Sequence, residues 1–367
     1  MLRRVAVLGF AALAAGCTRQ IVLEDMPDAF DGDAGTHKDA APSGDDAWCT
    51  PGWQWLDYEP RWAQLLIAFD RSAGMQTAFG GTTRAEAAES ALTEAIDKYQ
   101  AKVRFGFEQF PADSTDKDYG ECQRSGCCAG SVRVKPNWNT AQSISDYLQC
   151  GDFGFPCPYP SDETASHLAL QKIRDHYTAT IPLKENNDHY VLLVTSSEPY
   201  CDSDTCQQAL DAANDLGELG IRVIVLSVGY QPTSSSCLTS LSKTGSKLPI
   251  PSGLKTPPLY MPSSVSNLNA AVAEIALVLA ETTCTMESSD PPPPDDATVM
   301  ISVGRTIIPR VDGTAQSGWS FANAERTRIV LSGASCELFV NSWESVSAGY
   351  LCSKCGGSPA CPNSSWR

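Results

Sequence analysis

The stretch Leu65-Leu66-Ile67-Ala68-Phe69-Asp70-Arg71-Ser72-Ala73-Gly74-Met75 decides how the rest of the chain is read. Its large apolar residues run without a break and stop at an aspartate and a serine. An uninterrupted apolar run bounded by small and polar residues is the pattern of a strand buried on both faces of a parallel sheet. Such a strand delivers polar side chains to its C-terminal tip, where open α/β sheets bind their ligands.

Working outward, the same signals repeat. Arg84 to Lys102 carries Ala88, Ala91, Leu92, Ala95, Ile96 and Tyr99 at helical spacing, and Val103 to Phe107 then reads as a strand. Thr164 to Tyr177 is helical in period, with Ser161, Asp162 and Thr164 as candidate caps. Tyr190 to Thr195 is a second apolar strand, Gln207 to Gly217 a helix, Ile221 to Gly229 a third apolar strand, and Val265 to Glu281 a last helix closed by Cys284. Strands alternating with helices predict an α/β fold, a doubly wound and mostly parallel sheet covered on both faces. Past the stiff run Pro291 to Pro294 the pattern changes to alternation, in Val299, Ile301 and Val303, then Ile329 and Leu331, then Cys336, Leu338 and Val340. Gly318-Trp319 and Gly333 punctuate it, which predicts a small β domain stapled by Cys336, Cys352, Cys355 and Cys361.

The 367 residues, 42% of them apolar, are enough for one large domain and a smaller one. A formal net charge of −16 excludes nucleic acid as a partner and argues against electrostatic docking on anionic lipid. Fifteen cysteines belong to an oxidising compartment unless they bind metal. Arg3-Arg4 followed by the apolar run Val5 to Ala15 is a secretory signal too short to span a bilayer. Leu13-Ala14-Ala15-Gly16-Cys17 resembles a bacterial lipobox, in which Cys17 is acylated and becomes the new N-terminus, with alanine where leucine usually stands. An ordinary cleaved signal peptide with a free cysteine is the alternative. With Cys17 lipidated, an even number of cysteines remains for disulfides.

The expected boundaries are a signal and anchor at 1–17, an acidic tether at 18–47, the α/β domain at 48–285, a Pro-rich linker at 286–297 and the small β domain at 298–367. The tether carries Glu24, Asp25, Asp28, Asp31, Asp33, Asp39, Asp45 and Asp46 with a single aromatic, too little apolar surface to order itself. As a coil it would span roughly 30 Å. Within the α/β domain, 119–160 holds Cys122, Cys127, Cys128, Cys150 and Cys157 among Gly, Pro and Ser, and reads as a disulfide-stapled insertion. The adjacent Cys127 and Cys128 should take different partners, because bridging neighbours strains the backbone. A zinc knuckle is the rival reading, weakened by the lack of histidine in the stretch.

The order of these elements resembles the von Willebrand factor A family over about Cys49 to Cys284. Asp70 and Ser72 match its D-x-S-x-S motif; Arg104 to Phe107 with Phe110-Pro111 resembles its second strand in bacterial members. Thr164-Ala165-Ser166 resembles its T-x-T loop, and Val191 to Pro199 a strand that usually ends T-D-G-E-P. The segment from Gly318-Trp319 to Cys336 resembles a region that often follows this domain in secreted bacterial lipoproteins. The resemblance implies a metal-ion-dependent adhesion site, in which oxygen ligands hold a magnesium or similar ion that accepts an acidic group of a protein partner. Carried over residue by residue, Asp70, Ser72 and Thr164 match ligands, whereas Gly74 stands for a serine and Ser196 for an aspartate. Glu198 is the nearest substitute in sequence. A lost carboxylate is expected to weaken binding by roughly a hundredfold, so Mg2+ or another divalent cation would bind weakly.

Enzyme signatures are missing. His37, His167, His176 and His189 form no H-E-x-x-H arrangement, and the helical pair His167 and His176 is expected on a helix surface. No nucleophile elbow or P-loop occurs, and the Cys352-x-x-Cys355 pair lacks a thioredoxin-like context. The sequence thus predicts a non-catalytic, lipid-anchored envelope protein, at the outer membrane or cell surface rather than the inner membrane, that binds an unidentified protein ligand through its α/β domain. A scaffold whose cysteine-rich insertion makes the contacts is the second reading, and a metal-dependent hydrolase the third.

Overall fold

The computed structural model describes residues 52–56, 58–60, 62–111, 127–149, 163–180, 187–201, 205–246, 248–249, 251, 253–288, 298–311, 316–342 and 346–352. Cys17, the tether, and Cys122, Cys150, Cys157, Cys355 and Cys361 lie outside them. Trp48–Arg367 forms one compact unit.

In chain order the elements are β1 (Gly52–Leu56), β2 (Tyr58–Pro60), β3 (Trp62–Asp70), β4 (Ala78–Phe79), β5 (Thr82–Thr83), α1 (Arg84–Tyr99), β6 (Arg104–Phe110), β7 (Ser131–Asn137), α2 (Ala141–Leu148), α3 (Ser166–Thr180), β8 (Asn187–Thr195) and α4 (Thr205–Glu218). There follow β9 (Ile221–Ser227), α5 (Cys237–Gly245), β10 (Leu259–Tyr260), α6 (Val265–Thr283), β11 (Thr285–Ser288), β12 (Thr298–Val303), β13 (Thr306–Ile308), β14 (Gly318–Phe321), β15 (Arg328–Ser332), α7 (Ala334–Ser342) and β16 (Val346–Cys352).

The six-stranded sheet β10-β9-β8-β3-β6-β7 is parallel except for β7. Its apolar strands alternate between two layers. Leu65, Ile67 and Phe69 of β3 join α1, α2 and α6 in one core, while Leu66 and Ala68 join α3, α4 and α5 in the other. This is the doubly wound α/β architecture that the continuous apolar runs predict. Helix α6 is long and apolar enough to cross a membrane, yet Leu268, Val272, Ile275 and Leu279 pack it into the first core. After β3 the chain winds outward through β6 and β7, then returns to the other side of β3 for β8, β9 and β10. The switch point therefore falls between the C-terminal ends of β3 and β8, where Phe69 pairs with Val194.

Part of the expected insertion is regular structure. Strand β7 closes one edge of the sheet, and Ala141, Ile144 and Leu148 of α2 are core residues. Val132 and Val134 alternate but sit among Arg133, Lys135 and Pro136, which hides the edge strand in composition. Cys127 bonds Cys201, and Cys128 is disulfide-bonded elsewhere, so the neighbours do take different partners.

The C-terminal strands fold with the N-terminal ones. One sheet is β1-β16-β12-β13 and another β14-β15-β11-β2, so 52–60 shares ladders with the C-terminal strands rather than with the parallel sheet. Cys336, Leu338 and Val340 do not form a strand. They lie on α7, where Cys336, Phe339 and Val340 recur at i, i+3 and i+4 and are buried. Cys336 bonds Cys284 at the end of α6, tying this module to the α/β unit instead of closing it on itself.

Candidate functional site

The tip of β3 gathers the residues singled out in the sequence. Asp70 is fully buried, with Oδ1 accepting from the Ser72 backbone N–H at 2.7 Å and Oδ2 from the Thr195 hydroxyl at 2.7 Å. Burial pushes the Asp70 carboxyl above its ordinary range, and the bonds from Ser72 and Thr195 pull it part of the way back. Thr164 donates its hydroxyl to Ser72 Oγ at 3.4 Å and shares a 2.6 Å hydrogen bond with Ser197 Oγ. Thr164 is fixed by an isolated bridge to Tyr200, with one backbone bond of 3.0 Å in each direction.

Gly74 sits in the short turn Ala73–Gln76 that follows β3. A Cβ built on it would lie 2.8 Å from Ser196 Oγ and 3.7 Å from Ser72 Oγ. The Ser196 hydroxyl thus occupies space beside the missing side chain, and it is buried with no hydrogen-bond partner. Asp70, Ser72, Gly74, Thr164 and Ser196 therefore meet at one place, from three loops.

Sequence reasoning passed over Thr195 and Ser197. Both carry hydroxyls at the end of an apolar strand, the position that makes Asp70 and Ser72 conspicuous, but they precede or follow the motif position at Ser196. Glu198, the suggested substitute, is engaged elsewhere: it accepts from the Tyr230 hydroxyl at 3.0 Å and from the Leu238 backbone N–H at 2.9 Å, at the start of α5. There it serves as an anion at a helix N-terminus.

The donor set does not fit a hard divalent cation. Such ions take oxygen ligands, among which free carboxylates supply the charge. Here one carboxylate is buried and already accepts two hydrogen bonds, Gly74 offers no side-chain atom, and the other groups are neutral hydroxyls, those of Thr164, Ser72 and Ser197 bonded to one another and that of Ser196 to none. A second cluster, Cys127, Glu163 and Cys201, brings its ligand atoms within 4.8 Å, but its two sulfurs are joined in a disulfide and offer no thiolate.

Two arginines frame the tip. Arg71 is buried and donates from Nη2 to the carbonyls of Tyr147 at 2.7 Å and Leu148 at 3.3 Å, at the C-terminus of α2. Arg84 opens α1 and donates to the carbonyls of Gly74, Ser196 and Gly229 at 3.4, 3.3 and 3.0 Å. Around the same end of the sheet, Tyr200 is 63% and Met261 40% exposed.

The histidines contradict the surface expectation in part. His167 is buried and His176 half-buried on α3. His189 lies in β8 near the opposite end of the sheet, buried, with neither ring nitrogen hydrogen-bonded. Its ring meets Tyr177 edge-on at 5.3 Å. Burial lowers its pKa to about 4, with Arg104 and Arg222 adding to the effect and Asp188 opposing it.

No protein-family model matches the chain, and no curated protein matches it. Among solved structures, the conserved hypothetical protein BatB from Bacteroides thetaiotaomicron is 14% identical with a TM-score of 0.38, over 59% of this chain and 98% of that one. Proximal thread matrix protein 1 from the mussel byssus, solved with a zinc-occupied MIDAS motif, is 14% identical with a TM-score of 0.40, over 62% of this chain and 50% of that one. The pilus adhesin SpaC from Lactobacillus rhamnosus GG is 15% identical with a TM-score of 0.44, over 82% of this chain and 41% of that one. The chain spans half or less of the mussel protein and the adhesin. Its fold rests on its own strand order and register.

Proposed function

We propose that this chain is a non-catalytic protein-binding component of a bacterial cell envelope, anchored through an acylated Cys17 and presenting the tip of its von Willebrand factor A-like sheet to a protein partner. The convergence of Asp70, Ser72, Gly74, Thr164 and Ser196 at the switch point carries this reading. They form the family-like recognition end, with its metal chemistry impaired by the glycine and the serine. Tyr200 and Met261 supply the exposed apolar anchors that protein interfaces favour.

The scaffold reading has one observation in its favour: the Cys127–Cys201 bond fastens the start of the described insertion residues beside Tyr200, so insertion and tip adjoin. Capture from envelope extracts separates the two. The variant Tyr200→Ala with Met261→Ala should lose the partner while retaining its melting temperature. Capture unchanged in that variant, and lost when the insertion surface is altered at Lys135 and Tyr147, would replace the first reading with the second. Hydrolysis of an ester or peptide by the purified chain would overturn both. Mass spectrometry of the mature N-terminus tests the anchor, and an unmodified Cys17 removes it.

A further inference from the structure

We infer that the Arg84 guanidinium does at this sheet tip what a bound cation would do: it holds the three loops together, so the recognition surface is assembled without a metal. The inference rests on the tip being the recognition end, as proposed above. Each of its hydrogen bonds goes to a different loop: Gly74 after β3, Ser196 after β8 and Gly229 after β9. Those are the carbonyls of segments that leave three adjacent strands at the same end of the sheet. A planar guanidinium presents five N–H groups in a fixed fork, which suits it to bridging three such separated acceptors at once.

Its location is otherwise unfavourable. Arg84 is the first residue of α1, where the helix dipole repels a cation and favours an anion. Arg71, by contrast, sits against the C-terminal carbonyls of α2, where a cation belongs. Arg84 does not need to be there for the helix, which is started by Thr83: that side chain accepts from the Glu86 N–H at 3.1 Å, and Glu86 accepts from the Thr83 N–H at 2.9 Å. Nor is it neutralised by a carboxylate among the described residues, and its Nε is buried without a hydrogen-bond partner. A half-buried, unpaired guanidinium at a helix N-terminus is held there by the three carbonyls. Gly229 completes the fit. It has φ +65°, and a Cβ there would lie 2.8 Å from Arg84 Nε, so glycine lets the loop close on the guanidinium.

Hydrogen–deuterium exchange on the full oxidised chain tests this without a partner. Arg84→Met keeps the aliphatic stem and removes the donors. It should speed exchange at least about tenfold in 72–77, 196–200 and 228–231 together, with the centres of β3 and β8 unchanged. Arg84→Lys, whose three donors share one nitrogen and cannot span the fork, should loosen at least one of the three. Magnesium chloride should leave the wild-type pattern unaltered. Should Arg84→Met also loosen β3 and β8, Arg84→Ala with methylguanidinium in the buffer decides: protection returning to all three loops supports the clamp, and no return overturns it. Unchanged exchange in Arg84→Met, or loops in the wild type that tighten with magnesium, also overturns it. A clamped tip that captures no protein would end the binding reading alone, and capture by a tip indifferent to Arg84 would end the clamp alone.

Discussion

The two ends of one sheet treat a buried ionisable side chain in opposite ways. At the tip, Asp70 is enclosed but receives donors from Ser72 and Thr195. At the other end, His189 is enclosed and receives none, and the Tyr177 hydroxyl beside it is likewise buried without a partner. Burial alone penalises the charged form in both. It raises the carboxyl and lowers the imidazole, so the tip is disfavoured by rising pH and the base by falling pH. At the tip the Thr195 hydroxyl supports the carboxylate, while those of Thr164, Ser72 and Ser197 bond one another.

The largest effect should come from the base. His189 binds its proton at about 4 when folded and near 6.5 when unfolded, so the unfolded state holds more protons between those values. Stability should therefore fall as pH drops from 6.5 to about 4, by about 3 kcal/mol in total, and be insensitive to this group above 6.5. Urea denaturation across that range should show the slope, and His189→Phe should remove it. A slope that survives the substitution would place the acid sensitivity elsewhere, and the contrast between the ends would fail.

Next comes the support of the carboxylate. Thr195→Val keeps the shape, removes the hydroxyl and leaves Asp70 Oδ2 with one donor fewer; the loss should be about 2 kcal/mol in chemical denaturation at pH 7. Lowering the pH should shrink that loss, since a protonated Asp70 needs the donor less. A loss that is constant with pH would mean that Thr195 contributes packing alone.

The smallest effect is expected at Ser196. Its hydroxyl is buried and bonded to nothing, so Ser196→Ala should change stability by no more than about 0.5 kcal/mol, in the stabilising direction. A clear destabilisation would reveal a partner for that oxygen and make the tip network larger than Asp70, Ser72, Thr164, Thr195 and Ser197.

The sheet was legible because its strands are buried on both faces, which leaves an unbroken apolar signature at Leu65 to Phe69, Tyr190 to Val194 and Ile221 to Leu226. Asp70 and Ser72 were legible for the same reason, as polar residues ending such a run. The edge strand β7 was not, since a strand exposed on one face and flanked by cysteines resembles a loop in composition. Helix α7 was mistaken for a strand because Cys336, Leu338 and Val340 alternate, although Phe339 between them supplies the helical period. The role of Arg84 was invisible for a different reason. Its acceptors are backbone carbonyls of Gly74, Ser196 and Gly229, and a carbonyl leaves no mark on the residue type. Pairing of β1 with Val346–Cys352 and of β2 with Thr285–Ser288, hundreds of residues later, could not be read locally either.

Calorimetric titration of magnesium into the oxidised full chain tests the central claim most directly, that this tip is held by hydrogen bonds and a guanidinium rather than by a cation. Affinity should be about millimolar or weaker, and chelators should leave the melting temperature unchanged. Gly74→Ser with Ser196→Asp restores a hydroxyl ligand and a carboxylate, so the pair should tighten binding at least about tenfold, more than either change alone. Micromolar binding by the natural chain would contradict the account.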